Sequence, residues 1–244
     1  MNGFSSKLTR VLCWTRMQAE SGQEISSIIA RKELERRVGG GLFFWGIGNA
    51  PSRSIGSLVS SGNNTDVVFS LMKGRPKVRD VSPSGVLVWR TYFDAHGAEH
   101  PVPSHALVTS RMESGSEMKK NHYALICRSK EELRLDDYGP FDPSAYRNVG
   151  DTGGRVSHSQ VTALVVRTHT ESNESDYRIN LRARLAGSYW VKLGRPCALG
   201  QAARAALALA SARAKELDGN DWIEMVSNIT STAPSGVPGQ VYLF

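Results

Sequence analysis

Apolar positions along this chain come mostly in short runs of strand length, separated by polar punctuation, and take a helical period in only a few places. Val11-Leu-Cys-Trp14 is the first strand-length run. Ile25, Ile28 and Ile29 then share one helical face, with Leu34 and Val38 beside it, while Arg31, Lys32, Glu33, Glu35, Arg36 and Arg37 fill the rest. Ser21 and Glu24 stand in capping-box spacing and Gly39 is a natural stop, so the pattern predicts a helix over 22–38. Gly39-Gly-Gly-Leu-Phe-Phe-Trp-Gly-Ile-Gly-Asn49 follows. It reads as a buried strand, 41–47, opening into a Gly-rich turn where small residues let a ligand or another backbone approach.

Residues 50–65 read as a loop, with a helical turn near 55–59. Strands are predicted at Asp66–Met72, Val86–Phe93, Ala106–Thr109, His122–Cys127, Gln160–Val166, Tyr177–Leu185 and Val191–Leu193. Asp94–Gly97 is a turn signal ahead of an extended Glu99–Pro103, which makes a hairpin. Residues 111–120 read as a mobile loop, and 129–155 as a long irregular connection of the kind that often carries function. In Tyr177–Leu185 the arginines Arg178, Arg182 and Arg184 alternate with apolar residues and are expected on one face with Asn180. Helices are predicted over 199–217, ended by Asp218-Gly219, and over Asp221–Asn228. The expected class is α+β: one domain over 1–244, a curved, mostly antiparallel sheet or small β-barrel with an N-terminal helix. Residues 195–244 form a helical extension packed on it.

Composition adds a direction. The formal net charge is +7 and arginine outnumbers lysine, 21 to 9; guanidinium suits phosphate and base-edge contacts. No apolar run is long enough to span a bilayer, and Met1-Asn-Gly-Phe-Ser-Ser-Lys has no apolar signal-peptide core. Cys13, Cys127 and Cys197 form no C-x-x-C pair, which fits reduced thiols in a cytoplasmic protein. The six histidines match no metal-ligand spacing, and Gly46-Ile-Gly-Asn-Ala-Pro51 is neither a dinucleotide fingerprint nor a Walker loop, so no metal or cofactor is assigned.

Two kinds of candidate chemistry remain. Aromatic residues on strands or at their ends, Trp14, Trp45, Trp89 and Tyr92, are of the type that stacks on bases, and Ser159, Gln160 and Thr162 could bond a base edge. Lys73, Arg75, Lys77 and Arg79 recur at every second residue and share one face if extended; with Arg16 and Arg182 they are candidate phosphate ligands.

The order of strand Val11–Trp14, helix 22–38 and the aromatic strand after Gly40-Gly-Leu-Phe-Phe-Trp45 resembles the opening of the PUA-like superfamily, especially its EVE, ASCH and YTH branches. That resemblance covers the N-terminal half. It implies a small barrel holding an extruded, single-stranded or modified base, with Trp14, Trp45 and Asn49 in the pocket. The reading is therefore a module that binds DNA or RNA. The alternative is an enzyme acting on nucleic acid or nucleotides, hydrolase or transferase, through Asp136, Asp137, Asp142 and Tyr146 with His122 or His158 as base. A third reading makes the Gly-rich aromatic stretch an interface between copies of the chain.

Overall fold

The computed structural model describes residues 8–18, 23–48, 65–72, 85–149, 154, 156, 162–169, 175–186 and 190–231. The chain opens with β1 (Val11–Arg16), helix α1 (Ile25–Val38), β2 (Leu42–Gly48) and β3 (Asp66–Met72). Then come β4 (Gly85–Trp89), β5 (Thr91–Phe93), β6 (Glu99–Pro101), β7 (Thr109–Met112), β8 (Tyr123–Arg128), β9 (Pro140–Phe141) and β10 (Tyr146–Asn148). The last strands are β11 (Thr162–Arg167), β12 (Tyr177–Leu185), β13 (Val191–Leu193) and β14 (Pro196–Ala198), followed by α2 (Gln201–Arg213) and α3 (Gly219–Ser231).

The class is α+β. A large sheet runs β10-β11-β1-β3-β12-β8-β13-β5-β6, with β2 added on β8 and β9 on β12, and β14-β4-β7 form a second sheet. β1 and β3 run parallel; the other described pairings are antiparallel. A barrel needs its two end strands to meet. Here the path ends at β10 on one side and at the β5–β6 hairpin on the other, so among the described residues the sheet stays open. The small-barrel expectation is corrected on this point. No helix among the described residues is long and apolar enough to cross a membrane.

Alternation along β1 and β3 sends side chains into two cores on opposite faces. Cys13, Val67 and Phe69 join Ile25, Ile28 and Ile29 of α1 and Phe43, Trp45 and Ile47 of β2. Leu12, Trp14 and Val68 point the other way and meet Phe141, Ala145, Tyr146, Tyr177 and Ile179. The 129–155 connection thus supplies a cover: Phe141, Ala145 and Tyr146 are buried over the second face. Residues 111–120 likewise hold the end of β7 and a 3-10 turn, Ser116–Lys119.

Helix α1 departs from the expected pattern at both its start and its polar side. Glu24 is its N-cap without a side-chain capping bond, and Ser21 lies outside the described residues. Its end follows expectation: Gly41 N donates to Arg36 O at 2.8 Å and Gly40 takes a φ of 63°, which glycine adopts without strain. The polar side is the larger correction. Arg31, Lys32 and Glu35 are 2%, 4% and 0% exposed. Segment 106–108 and β2 lie against them: Arg31 and Lys32 donate to Leu107 O and Glu35 accepts from Phe44 N, while the neighbouring Leu34 shares a core with Val86, Val88, Leu107, Leu207 and Trp222.

Glu35 carries the polar bonding there. Its Oε1 accepts from Phe44 N at 2.6 Å, and its Oε2 accepts from Lys32 Nζ at 2.7 Å and Leu107 N at 3.4 Å. Lys32 Nζ also donates to Leu107 O at 2.9 Å. One carboxylate therefore ties α1 to β2 and to the buried segment 106–108, which precedes β7 and is not itself a strand. The expected strand Val86–Phe93 is broken at Arg90, where the chain passes from the second sheet to the first. Val102 N bonds Arg90 O at 2.8 Å, and the Arg90 guanidinium donates to Thr230 O in the last turn of α3. Asp218, read as a helix stop, instead opens α3: its Oδ1 accepts from Asn220 N at 2.8 Å and Asp221 N at 2.9 Å.

Replacing Glu35 with Ala leaves two buried cations without a carboxylate. Urea denaturation should show a loss of about 3–5 kcal/mol, as for other buried pairs broken on one side; a loss below about 1 kcal/mol, the scale of an exposed pair, would remove Glu35 from this role.

The β5–β6 hairpin makes a second prediction. Asp94 Oδ2 bonds His100 Nε2 at 2.9 Å, and its Oδ1 accepts from His96 N at 2.8 Å and Ala98 N at 2.9 Å. The His100 bond, then the Ala98 amide, hold the Asp94 carboxyl down to about 2. Because the folded value is depressed, its contribution to stability is present above the unfolded value of about 3.9 and is lost as pH falls through about 2. In an NMR titration Asp94 should titrate near 2, and His100→Ala should raise it toward the ordinary range. An unshifted Asp94 in the native protein would contradict the hydrogen-bonded turn.

Candidate nucleic-acid interface

Of the residues singled out from the sequence, Asn49, Lys73, Arg75, Lys77, Arg79, Ser159 and Gln160 lie outside the described residues. Three of the strands they adjoin, β1, β3 and β11, meet at one end of the sheet, whereas β2, which precedes Asn49, ends at the other, where Gly48 pairs with Tyr123. Arg16 ends β1 beside Ser70 of β3, and Met72, the residue before Lys73, ends β3. Thr162, two residues after Gln160, begins β11 opposite Thr15, and the two threonine hydroxyls bond at 2.8 Å.

The tryptophans do not converge. Trp14 is 0% exposed, stacks on Phe141 at 5.4 Å, meets Tyr177 edge-on at 5.5 Å and donates from Nε1 to Ser70 Oγ at 2.7 Å. Trp45 lies on the opposite side of β3, edge-on to Phe69 at 4.8 Å. Trp89 lies in a third core, 4.7 Å from the His122 ring, and Tyr92 sits beside Phe44 at 5.6 Å. These are core contacts in three separate places, so the expected single aromatic pocket is corrected. Large aromatics bury too much area to be left at a strand end when a neighbouring layer can cover them.

The arginines of β12 are arranged differently from the sequence expectation, and the cause is local. The register of β12 on β3 slips between Ile179 and Leu181, leaving Asn180 as the extra residue. Asn180 replaces ladder bonds with its side chain: Oδ1 accepts from Leu71 N at 3.0 Å and Nδ2 donates to Asp136 O at 2.9 Å. The bulge exchanges the faces. Tyr177 and Ile179 belong to the Trp14 core, whereas Leu181, Ala183 and Leu185 belong to the Trp45 core. Arg178, opposite Leu71, is therefore on the other face from Arg182, opposite Val68, and Arg184, opposite Asp66. The single arginine face expected over 178–184 is split.

Arg178 is also engaged. Its Nε and Nη2 reach both carboxylate oxygens of Asp137 at 2.7–3.1 Å. Arg184 gains a different neighbour, Arg128, the last residue of β8 and its direct cross-strand partner. Such pairs have Cβ atoms about 4.5–5.5 Å apart, and like charges there repel. Leu12, Asp66, Arg184, Arg128 and Leu42 are successive partners across five strands. In that row Asp66 is the one carboxylate. It is buried, its Oδ2 accepts from Thr9 N at 2.7 Å, and its Oδ1 is 3.7 Å from Arg184 Nε. The Arg184 side chain remains 63% exposed. Arg128 is exposed, and its side chain has no hydrogen bond or ion pair among the described residues. Arg182 stands two residues along, about 6.6 Å on the same face. The result is a compact cationic row on β12 and β8, exposed at Arg184 and Arg128 and half-buried at Arg182. Arg128 was not singled out from the sequence; only the non-local pairing of β8 with β12 brings it here.

The acids read as catalytic candidates have structural partners. Asp136 bonds Arg134 at 2.8 Å while Asp137 holds Arg178, so the two carboxylates serve different elements. Asp142 Oδ1 accepts from Ser144 N at 2.9 Å at the start of a 3-10 turn, and Tyr146 is buried against Phe141. His122 is buried, with Nε2 on Glu117 O at 2.9 Å. His158 lies outside the described residues. Comparison of the chain with protein-family models, with curated proteins and with solved structures found no match.

Asn180→Ala removes both bonds that support the bulge. Chemical denaturation should show a loss of about 1–3 kcal/mol. A neutral substitution would mean that the bulge is held by the strands alone.

Proposed function

We propose that this chain binds nucleic acid and that Arg128 and Arg184, with Arg182 beside them, contact successive phosphates. The observation carrying the reading is the like-charged cross-strand pair: two exposed guanidinium groups side by side on a sheet surface, with a single buried carboxylate in their row. A pair of this kind disfavours the free state and is relieved by an anion lying across it. The net charge of +7 and the excess of arginine agree with a polyanionic partner. So does the likeness of the β1, α1, β2 opening to the PUA-like superfamily. The surface is a strand face with no projecting helix, which suits an extended single strand better than a duplex groove.

Recognition of an extruded or modified base is the finer form of this proposal. It now rests on Ser159 and Gln160, which precede β11, because Trp14, Trp45 and Trp89 are core residues and Asn49 follows β2 at the other end of the sheet.

The test is binding to short single- and double-stranded DNA and RNA over a range of salt. Affinity should fall steeply with salt. Arg128→Ala and Arg184→Ala should each weaken binding to all sequences and reduce the magnitude of the log–log salt slope by about 0.7–0.9. Unchanged slopes in both variants, or no binding to any of the four, would reject the proposal.

A further inference from the structure

The buried cluster on α1 carries more positive charge than its own carboxylate balances. Arg31, Lys32 and Glu35 are all at least nine-tenths buried, two cations against one anion. The bonds of Glu35 go to Phe44 N, Lys32 Nζ and Leu107 N, none of them to Arg31. Arg31 has five N–H donors, but its one hydrogen bond among the described residues is from Nη1 to Leu107 O at 3.3 Å. That acceptor is shared with the closer Lys32 ammonium at 2.9 Å. Arg31 Nε is buried without a partner.

A buried guanidinium left this way is costly, since desolvation of an ion amounts to several kcal/mol and is recovered only through good partners. Arg31 does not relieve the imbalance by losing its proton. Burial pushes Arg31 down only to about 10, with Glu35 opposing, so it is charged at neutral pH. Lys32 lies 2.7 Å from Glu35 Oε2, the distance of a charge-assisted bond; burial lowers it and Glu35 opposes that lowering. Cys127 of β8, which also faces Lys32, has its thiol pushed well up by burial and supplies no negative charge.

We propose that Arg31 holds a small inorganic anion of halide size at its Nε edge, beneath α1 and beside the 106–108 segment. The anion completes the charge of the cluster and is part of the folded state. This site is separate from the arginine row and does not depend on nucleic-acid binding.

The experiment is thermal and urea denaturation of the full chain at constant ionic strength, with chloride exchanged for gluconate. The native protein should gain stability with chloride and level off. For a Kd of about 10 mM, about 100 mM chloride shifts the unfolding equilibrium about tenfold. Arg31→Gln should abolish the dependence. An equal chloride effect in both proteins, or none in the native one, overturns the proposal. Should Arg31→Gln fail to fold, crystals of the native protein grown in bromide decide the matter. An anomalous peak within hydrogen-bond distance of Arg31 Nε supports the site; a water there, or no peak, overturns it.

Discussion

The carboxylate of Glu35 is the interaction on which the rest of the molecule depends. It sits at the meeting point of α1, β2 and the segment before β7, and its three bonds reach all three. Through β2 it is connected to β8, which pairs with β2 along one edge and with β12 and β13 along the other. Through Leu107 it reaches the core that holds α2 and α3. A hydrophobic contact could press these elements together, but it would not fix their register. A carboxylate with a backbone N–H from each neighbour leaves little freedom to slide, because any shift strands a buried charge. Its cost is visible in the same place, where Arg31 remains under-bonded.

The second constraint is the bulge at Asn180. A strict two-residue period puts every arginine of β12 on one side, and a one-residue slip exchanges the faces beyond it. The slip separates Arg178, held by Asp137, from Arg182 and Arg184. It also sets Arg184 beside Arg128 while Leu185 and Cys127 face the buried core. An irregularity in the hydrogen-bond ladder thereby decides which cations line up on one face and which is tied into an ion pair.

Much of the fold was legible in the chain because it is local. The α+β class, the strands Asp66–Met72 and Tyr177–Leu185, the stop of α1 at Gly39-Gly40 and the hairpin at Asp94–Gly97 all follow from short patterns. What was missed is non-local. Arg31, Lys32 and Glu35 resemble any charged helix side until segment 106–108 lies against them, and no pattern near residue 35 announces a partner 72 residues later. Trp14, Trp45 and Trp89 resemble a base-stacking set in sequence, but the parallel β1–β3 pairing and the 129–155 cover send them to separate cores. Of the candidate site, Arg182 was read correctly as a face residue and Arg184 as its neighbour. Arg128 looked like the polar end of an apolar strand, and only its partner strand gives it company.

The most direct measurement of the central claim is an NMR titration that follows the side-chain Nε–Hε resonances of the arginines as a short single-stranded oligonucleotide is added. Arg128 and Arg184 should shift and broaden, while Arg178, held by both oxygens of Asp137, stays in place as an internal control. Movement of Arg178 with Arg128 and Arg184 silent, or no movement of any arginine under conditions where the oligonucleotide binds, would contradict the account.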